Sequence, residues 1–137
     1  MKDIFHIKFP LKQNYARRIN KLYFSANNVE NTNFPEALFD IVTSFETIEH
    51  VNWIKFLKEM YKILKNDGLL ILSTPQNRFG KIPITPSHLI EFSLTELLNL
   101  CKEFFSIEKV IGFKAGKIYF DNDPIGTNTF LIARGKK

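Results

Sequence analysis

With 137 residues, 45% of them hydrophobic and 24% charged, the chain has the composition of one globular domain that can bury a real core. Its single cysteine excludes an intrachain disulfide, and no apolar run approaches the ~20 residues needed to span a bilayer. Together with an N-terminus that lacks the apolar centre of a signal peptide, these features predict a reduced, cytoplasmic setting.

The net charge of +5 is unevenly placed: within the first 21 residues Lys2, Lys8, Lys12, Arg17, Arg18 and Lys21 are opposed only by Asp3. Such an arm can attract RNA, anionic lipid or an acidic partner, or it can be a solvated helix face. Tyr15, Ile19 and Leu22 stand at helical spacing and predict a helix over residues 11–20, so residues 1–21 read as a basic helical segment preceding a domain at 22–137. Leu22 to Ala26 predicts a short strand that halts at Asn27-Asn28, and residues 30–38 a loop. Phe39 to Ser44 is a nearly continuous apolar run, the pattern of a parallel strand buried on both faces.

The next helix is the clearest. Asn52 is placed to cap it, and Trp53, Phe56, Leu57, Met60 and Leu64 recur on one face. Asn66-Asp67-Gly68 predicts its end, with Gly68 as a left-handed cap, and Leu69 to Ser73 predicts a buried strand stopped by Pro75. Residues 75–92 form a loop long enough to suggest function. Ser93 and Glu96 make a capping box for a helix with Leu94, Leu97, Leu98 and Cys101 on one side, where Cys101 reads as a buried, inert thiol. Strands are predicted near Ile107–Phe113 and Thr129–Arg134, with Asp121-Asn-Asp-Pro124 and Gly126 in the loop between them. The whole is an α/β sandwich with a mostly parallel sheet and an antiparallel last strand.

The densest chemistry is Phe39-Asp-Ile-Val-Thr-Ser-Phe-Glu-Thr-Ile-Glu-His50, where an apolar strand delivers Glu46, Glu49 and His50 just past its carboxyl end. Ligands bind at such strand ends in open α/β sheets. A solvated helix start, where acidic residues favour the positive dipole end, is the alternative.

This segment, followed by Ile63-Leu-Lys-Asn-Asp-Gly-Leu-Leu-Ile-Leu-Ser-Thr-Pro-Gln-Asn77, resembles the second half of a class I S-adenosylmethionine-dependent methyltransferase. Pro86-Ser-His-Leu-Ile-Glu-Phe-Ser93 resembles a segment of the type 11/type 12 branch of that family. The resemblance spans roughly residues 22–134 and implies a partial Rossmann-like fold with S-adenosylmethionine as cofactor. It departs from the pattern in one respect: the family's Gly-x-Gly-x-Gly loop has no counterpart, since the first glycine is Gly68. That departure implies a fragment, or a split or degenerate member, that is inactive alone and is completed by an N-terminal fragment or by self-association.

Residue by residue, the resemblance places Asn28 and Val29 at the adenine, with an Asx turn as the competing reading of Asn28, and Ser44 and Phe45 beside the cofactor. A second resemblance, to small-RNA 3′-terminal 2′-O-methyltransferases and ubiquinone-pathway O-methyltransferases, lies in Glu46, Glu49, His50 and the later His88. It implies that these four carry the chemistry, either by holding Mg2+ or Mn2+ beside an acceptor hydroxyl or with His50 or His88 as base. The expected function is O-methyl transfer to a small molecule, glycan or RNA hydroxyl; the alternative is a non-catalytic scaffold that kept the fold.

Overall fold

The computed structural model describes residues 26–77, 83–114, 117–120 and 127–136. The basic segment 1–21, nearly all of the strand expected over 22–26, and the Asp121–Pro124 and Gly126 loop positions lie outside them. The described chain forms β1 (Phe39–Phe45), a 3-10 turn (Ile48–His50), α1 (Trp53–Ile63), β2 (Leu64–Pro75), α2 (Leu94–Lys102), β3 (Phe105–Lys114), β4 (Lys117–Phe120) and β5 (Asn128–Gly135). The strands make one sheet in the order β1-β2-β5-β3-β4.

The α/β class stands, but the sheet is mixed. Only β1 and β2, joined through α1, run parallel; the β2–β5, β5–β3 and β3–β4 pairings are antiparallel. The four-residue β4 was not foreseen, because a strand that short carries little periodic signal.

Both helices begin as their sequences require. The Asn52 side chain accepts from the Lys55 amide, and Ser93 and Glu96 complete a reciprocal capping box. The apolar stripe of α1 (Phe56, Leu57, Met60, Ile63) meets Leu97 and Cys101 of α2 in one core. Beneath them lie Leu70 and Leu72 of β2, in register with Ala133 and Leu131 of β5. Each large apolar side chain buried here contributes roughly 1.5–3 kcal/mol. Burial pushes the Cys101 thiol up to about 12, so it is the inert core residue its position suggested.

Two local expectations are corrected. Helix α1 stops at Ile63 and passes directly into β2, and Asp67, not Gly68, takes the left-handed conformation (φ 58°). Gly68 is instead required by close approach: a Cβ there would lie 3.0 Å from Leu64 Cδ2 and 3.2 Å from the Asp40 carbonyl. The absent side chain lets β1 close on β2 where the pairing jumps from Phe39↔Leu64 to Ile41↔Leu69.

The second correction concerns β1. It is an edge strand among the described residues, not one buried on both faces. Phe39 and Val42 pack on the core, whereas Ile41 is 55% and Phe45 52% exposed. The loop before β1 is pinned to α1: the Thr32 amide and hydroxyl donate to Glu59 Oε1 at 2.9 and 2.6 Å, and Lys62 pairs with the same carboxylate.

Candidate active site

At the carboxyl end of β1 the backbone breaks out of the sheet. Glu46 adopts a left-handed conformation (φ 49°), its amide donates to the Ser73 carbonyl, and the chain then closes the 3-10 turn. Ile48 anchors that turn in the core, and Glu49 beside it is wholly buried. The strain at Glu46 and the burial of an acid one turn later are features that cluster at functional sites.

The loop 83–92 folds back over this turn. The Leu89 amide donates to the Glu49 carbonyl at 2.8 Å, His50 Nδ1 donates to the Ser87 carbonyl at 3.1 Å, and the Asn77 amide donates to the Phe92 carbonyl. These contacts bring His88 against His50, ring centroids 4.8 Å apart in an edge-to-face arrangement. Glu49, His50 and His88 thus each offer one ligand atom within 4.8 Å of the others.

Glu46 stands apart from this trio. The four residues expected to act together are not all brought together, because helical structure begins only at Ile48 and leaves Glu46 outside the turn. Its carboxylate accepts from Ser73 Oγ at 2.7 Å and Asn128 Nδ2 at 3.0 Å, tying the exit of β1 to β2 and β5.

Within the trio Glu49 is electrostatically distinctive. Oε2 accepts from the Thr74 hydroxyl at 3.0 Å, while buried Oε1 has no hydrogen-bond partner among the described residues and lies 3.9 Å from His50 Nε2. Burial, abetted by the charge of Glu46, raises the Glu49 pKa against the pull of a backbone hydrogen bond, Thr74 and His50. An orphaned buried carboxylate oxygen is costly unless a proton, a cation or a ligand satisfies it. The donor set of one carboxylate and two imidazoles fits a divalent transition metal better than Mg2+, which favours oxygen ligands.

Three partners of the site were not anticipated from sequence: Thr74, Asn128 and Glu91. Glu91 had a usable signal, since it follows His88 by three residues in a segment already singled out. Thr74 and Asn128 had none, because their roles depend on strand register.

On the cofactor side, Asn28 Oδ1 accepts from the Glu30 amide at 2.9 Å, an Asx turn that leaves the side-chain amide group as a donor. The turn is held to α1 through the Asn52 amide and Glu30 Oε1 at 2.8 Å, and Val29 packs on the core. Ser44 is half-buried at the end of β1, and Phe45 is exposed with its ring 5.6 Å from that of Phe130. These residues fit an adenine and its surroundings. None of them is a glycine that would offer the close backbone approach which the methionine end of S-adenosylmethionine takes.

A family model, methyltransferase domain, matches residues 8–72. A probable S-adenosylmethionine-dependent methyltransferase of Mycobacterium tuberculosis (strain CDC 1551 / Oshkosh) is 37% identical over 79 residues, covering 53% of this chain and 28% of its own length. A relative of similar name from Mycolicibacterium smegmatis is 32% identical over 92 residues, covering 62% of this chain and 35% of its own. A solved S-adenosylmethionine-dependent methyltransferase from Thermotoga maritima superposes with a TM-score of 0.71 at 21% identity, over 90% of this chain and 70% of that one. In the matched residues and in fold the chain is similar to the class I S-adenosylmethionine-dependent methyltransferase family.

S-adenosylmethionine is the cofactor of that family. Among the solved methyltransferases of this fold, the 1,6-didemethyltoxoflavin N1-methyltransferase of Burkholderia thailandensis, captured with S-adenosylhomocysteine, has a TM-score of 0.67 at 19% identity, over 90% of this chain and 56% of that one. The chain spans about a third or less of the curated methyltransferases it matches. No helix among the described residues is long and apolar enough to cross a membrane.

Proposed function

We propose that this chain supplies the acceptor-side part of an S-adenosylmethionine-dependent O-methyltransferase, acting on a hydroxyl of a small molecule, glycan or RNA. The observation that carries the reading is the convergence of buried Glu49 with His50 and His88 at the carboxyl end of β1. S-adenosylmethionine, when bound, supplies an electrophilic methyl group open to in-line attack.

The chain's own contribution is to position the acceptor oxygen and take its proton. Each imidazole has its Nδ1 committed to an acceptor, His50 to the Ser87 carbonyl and His88 to Glu91, so Nε2 is the nitrogen left to act as base. The loop 83–92 shields this chemistry from water on one side. Orphaned Glu49 Oε1 supports a second form of the same reading, in which Glu49, His50 and His88 hold a divalent ion that acidifies the hydroxyl.

The test uses enzyme that carries a complete cofactor loop. His50→Ala and His88→Ala should each slow methyl transfer by roughly 10²–10⁴-fold if they handle the proton, and Glu49→Gln should slow it as well if the trio holds an ion. Unchanged turnover in all three overturns the reading. Chelation followed by Mn2+ rescue separates the two forms, and full activity in excess chelator leaves the base.

A non-catalytic scaffold that kept the fold is the competing proposal. Titration calorimetry of this chain with S-adenosylmethionine should give weak or no binding, and micromolar affinity would remove the ground for the scaffold.

A further inference from the structure

Glu91 is a buried acid that the proton-transfer reading leaves without a role. It is 3% exposed, and its Oε1 accepts both the Thr85 amide at 2.9 Å and His88 Nδ1 at 2.8 Å. Oε1 already accepts the Thr85 N–H, so it faces His88 as an acceptor and His88 Nδ1 carries the proton between them. In the neutral ring the lone pair is then confined to Nε2.

We infer that Glu91 is the positioning residue of this site, fixing His88 in the Nδ1–H tautomer so that Nε2 serves as its base or ligand atom. The inference rests on the proposed role of His88 and adds how that role is set. A carboxylate behind an imidazole fixes ring orientation and tautomer in both base and metal-ligand settings, so it serves either form of the reading. The Ser87 carbonyl does the same for His50. Two imidazoles are thereby locked through their Nδ1 atoms by one loop, one by a charged side chain and the other by backbone.

That asymmetry provides the test. Long-range 1H–15N spectra of the chain at about pH 9, well above the ordinary imidazole range, report each ring's tautomer without cofactor or turnover. In the wild-type chain both His50 and His88 should appear in the Nδ1–H form. In Glu91→Leu, His88 should shift to the Nε2–H form that free imidazole prefers, while His50, held by Ser87, keeps its pattern. In Thr85→Val, which takes the Thr85 hydroxyl from Glu91 and keeps the Thr85 backbone contacts to Glu91 and His88, both should stay as in wild type.

Simultaneous loss of both patterns in Glu91→Leu would make Glu91 only a staple of the loop and overturn the inference. So would an unchanged His88 in that variant, or an Nε2–H form of His88 in the wild-type chain, an outcome that needs no variant to fold. Because no methyl transfer is measured, absence of activity would count against the proposed reaction and not against this assignment.

Discussion

The two faces of the sheet differ sharply. On one, α1 and α2 seal Leu70, Leu72, Leu131 and Ala133 from water. On the other, Leu69, Ile71, Phe130 and Ile132 are only half-buried, and Ile41 and Phe45 at the β1 edge are exposed. Both faces are apolar, so hydrophobicity does not distinguish them; what covers them does. The covered face holds the fold together and the site rides on its edge. Among the described residues the open face and the unpaired edge of β1 are a surface that gains by being covered.

The largest effects should therefore fall on the covered face. Leu72→Ala should cost about 2–5 kcal/mol by urea unfolding, whereas Ile41→Ser should stay within about 0.5 kcal/mol. Equal losses would mean that the open face is covered in solution. Gly68→Ala, which forces a methyl group between β1 and β2, should cost about 1–3 kcal/mol. Glu59→Gln, which weakens the acceptor of Thr32 and removes the charge facing Lys62, should cost about 1–2 kcal/mol.

The pH dependence sharpens the contrast between carboxylates well supplied with donors and the one with an orphaned oxygen. Burial opposes ionisation of Glu59, but Lys62 and Thr32 outweigh it and lower its pKa; Glu91 is lowered in the same way by its own donors. Their contribution is present above the unfolded value of 4.5 and is lost as pH falls through their lowered values. Glu49 has the opposite sign. Its folded pKa is raised, chiefly by burial, so stability declines as pH rises from 4.5 through the raised value. Glu49→Gln should accordingly be more stable than wild type near neutrality and gain nothing in acid, as read from urea midpoints at about pH 4 and pH 7. A variant less stable at both would show that the Glu49 charge is already satisfied.

The smallest effect on stability should be the most telling about partners. The chain alone should self-associate through β1 and the open face, and Ile41→Lys should shift it toward monomer at nearly unchanged stability, as read by light scattering. A wild-type monomer at high concentration would count against an uncovered surface.

Much of this protein was legible in its sequence because the signals are local. Asn52 and the 53-56-57-60 stripe specify α1, Ser93 and Glu96 specify the start of α2, and Phe39–Ser44 and Leu69–Ser73 specify parallel strands. The similarity to methyltransferases, too, was readable, because its motif pieces occur in order along the chain. Cap chemistry and apolar period act within a few residues, and so sequence alone records them.

What only the tertiary structure decided involves partners distant in sequence. That β1 lies at an edge among the described residues depends on which strands flank it. That Glu46 leaves the trio depends on Ser73 and Asn128, 27 and 82 positions away. That His88 reaches His50 depends on a loop hung from the Glu49 carbonyl. The physical reason is common to all three: a side chain's chemistry is set by which groups desolvate it and which donors reach it, and here those groups arrive only once the sheet has fixed its register.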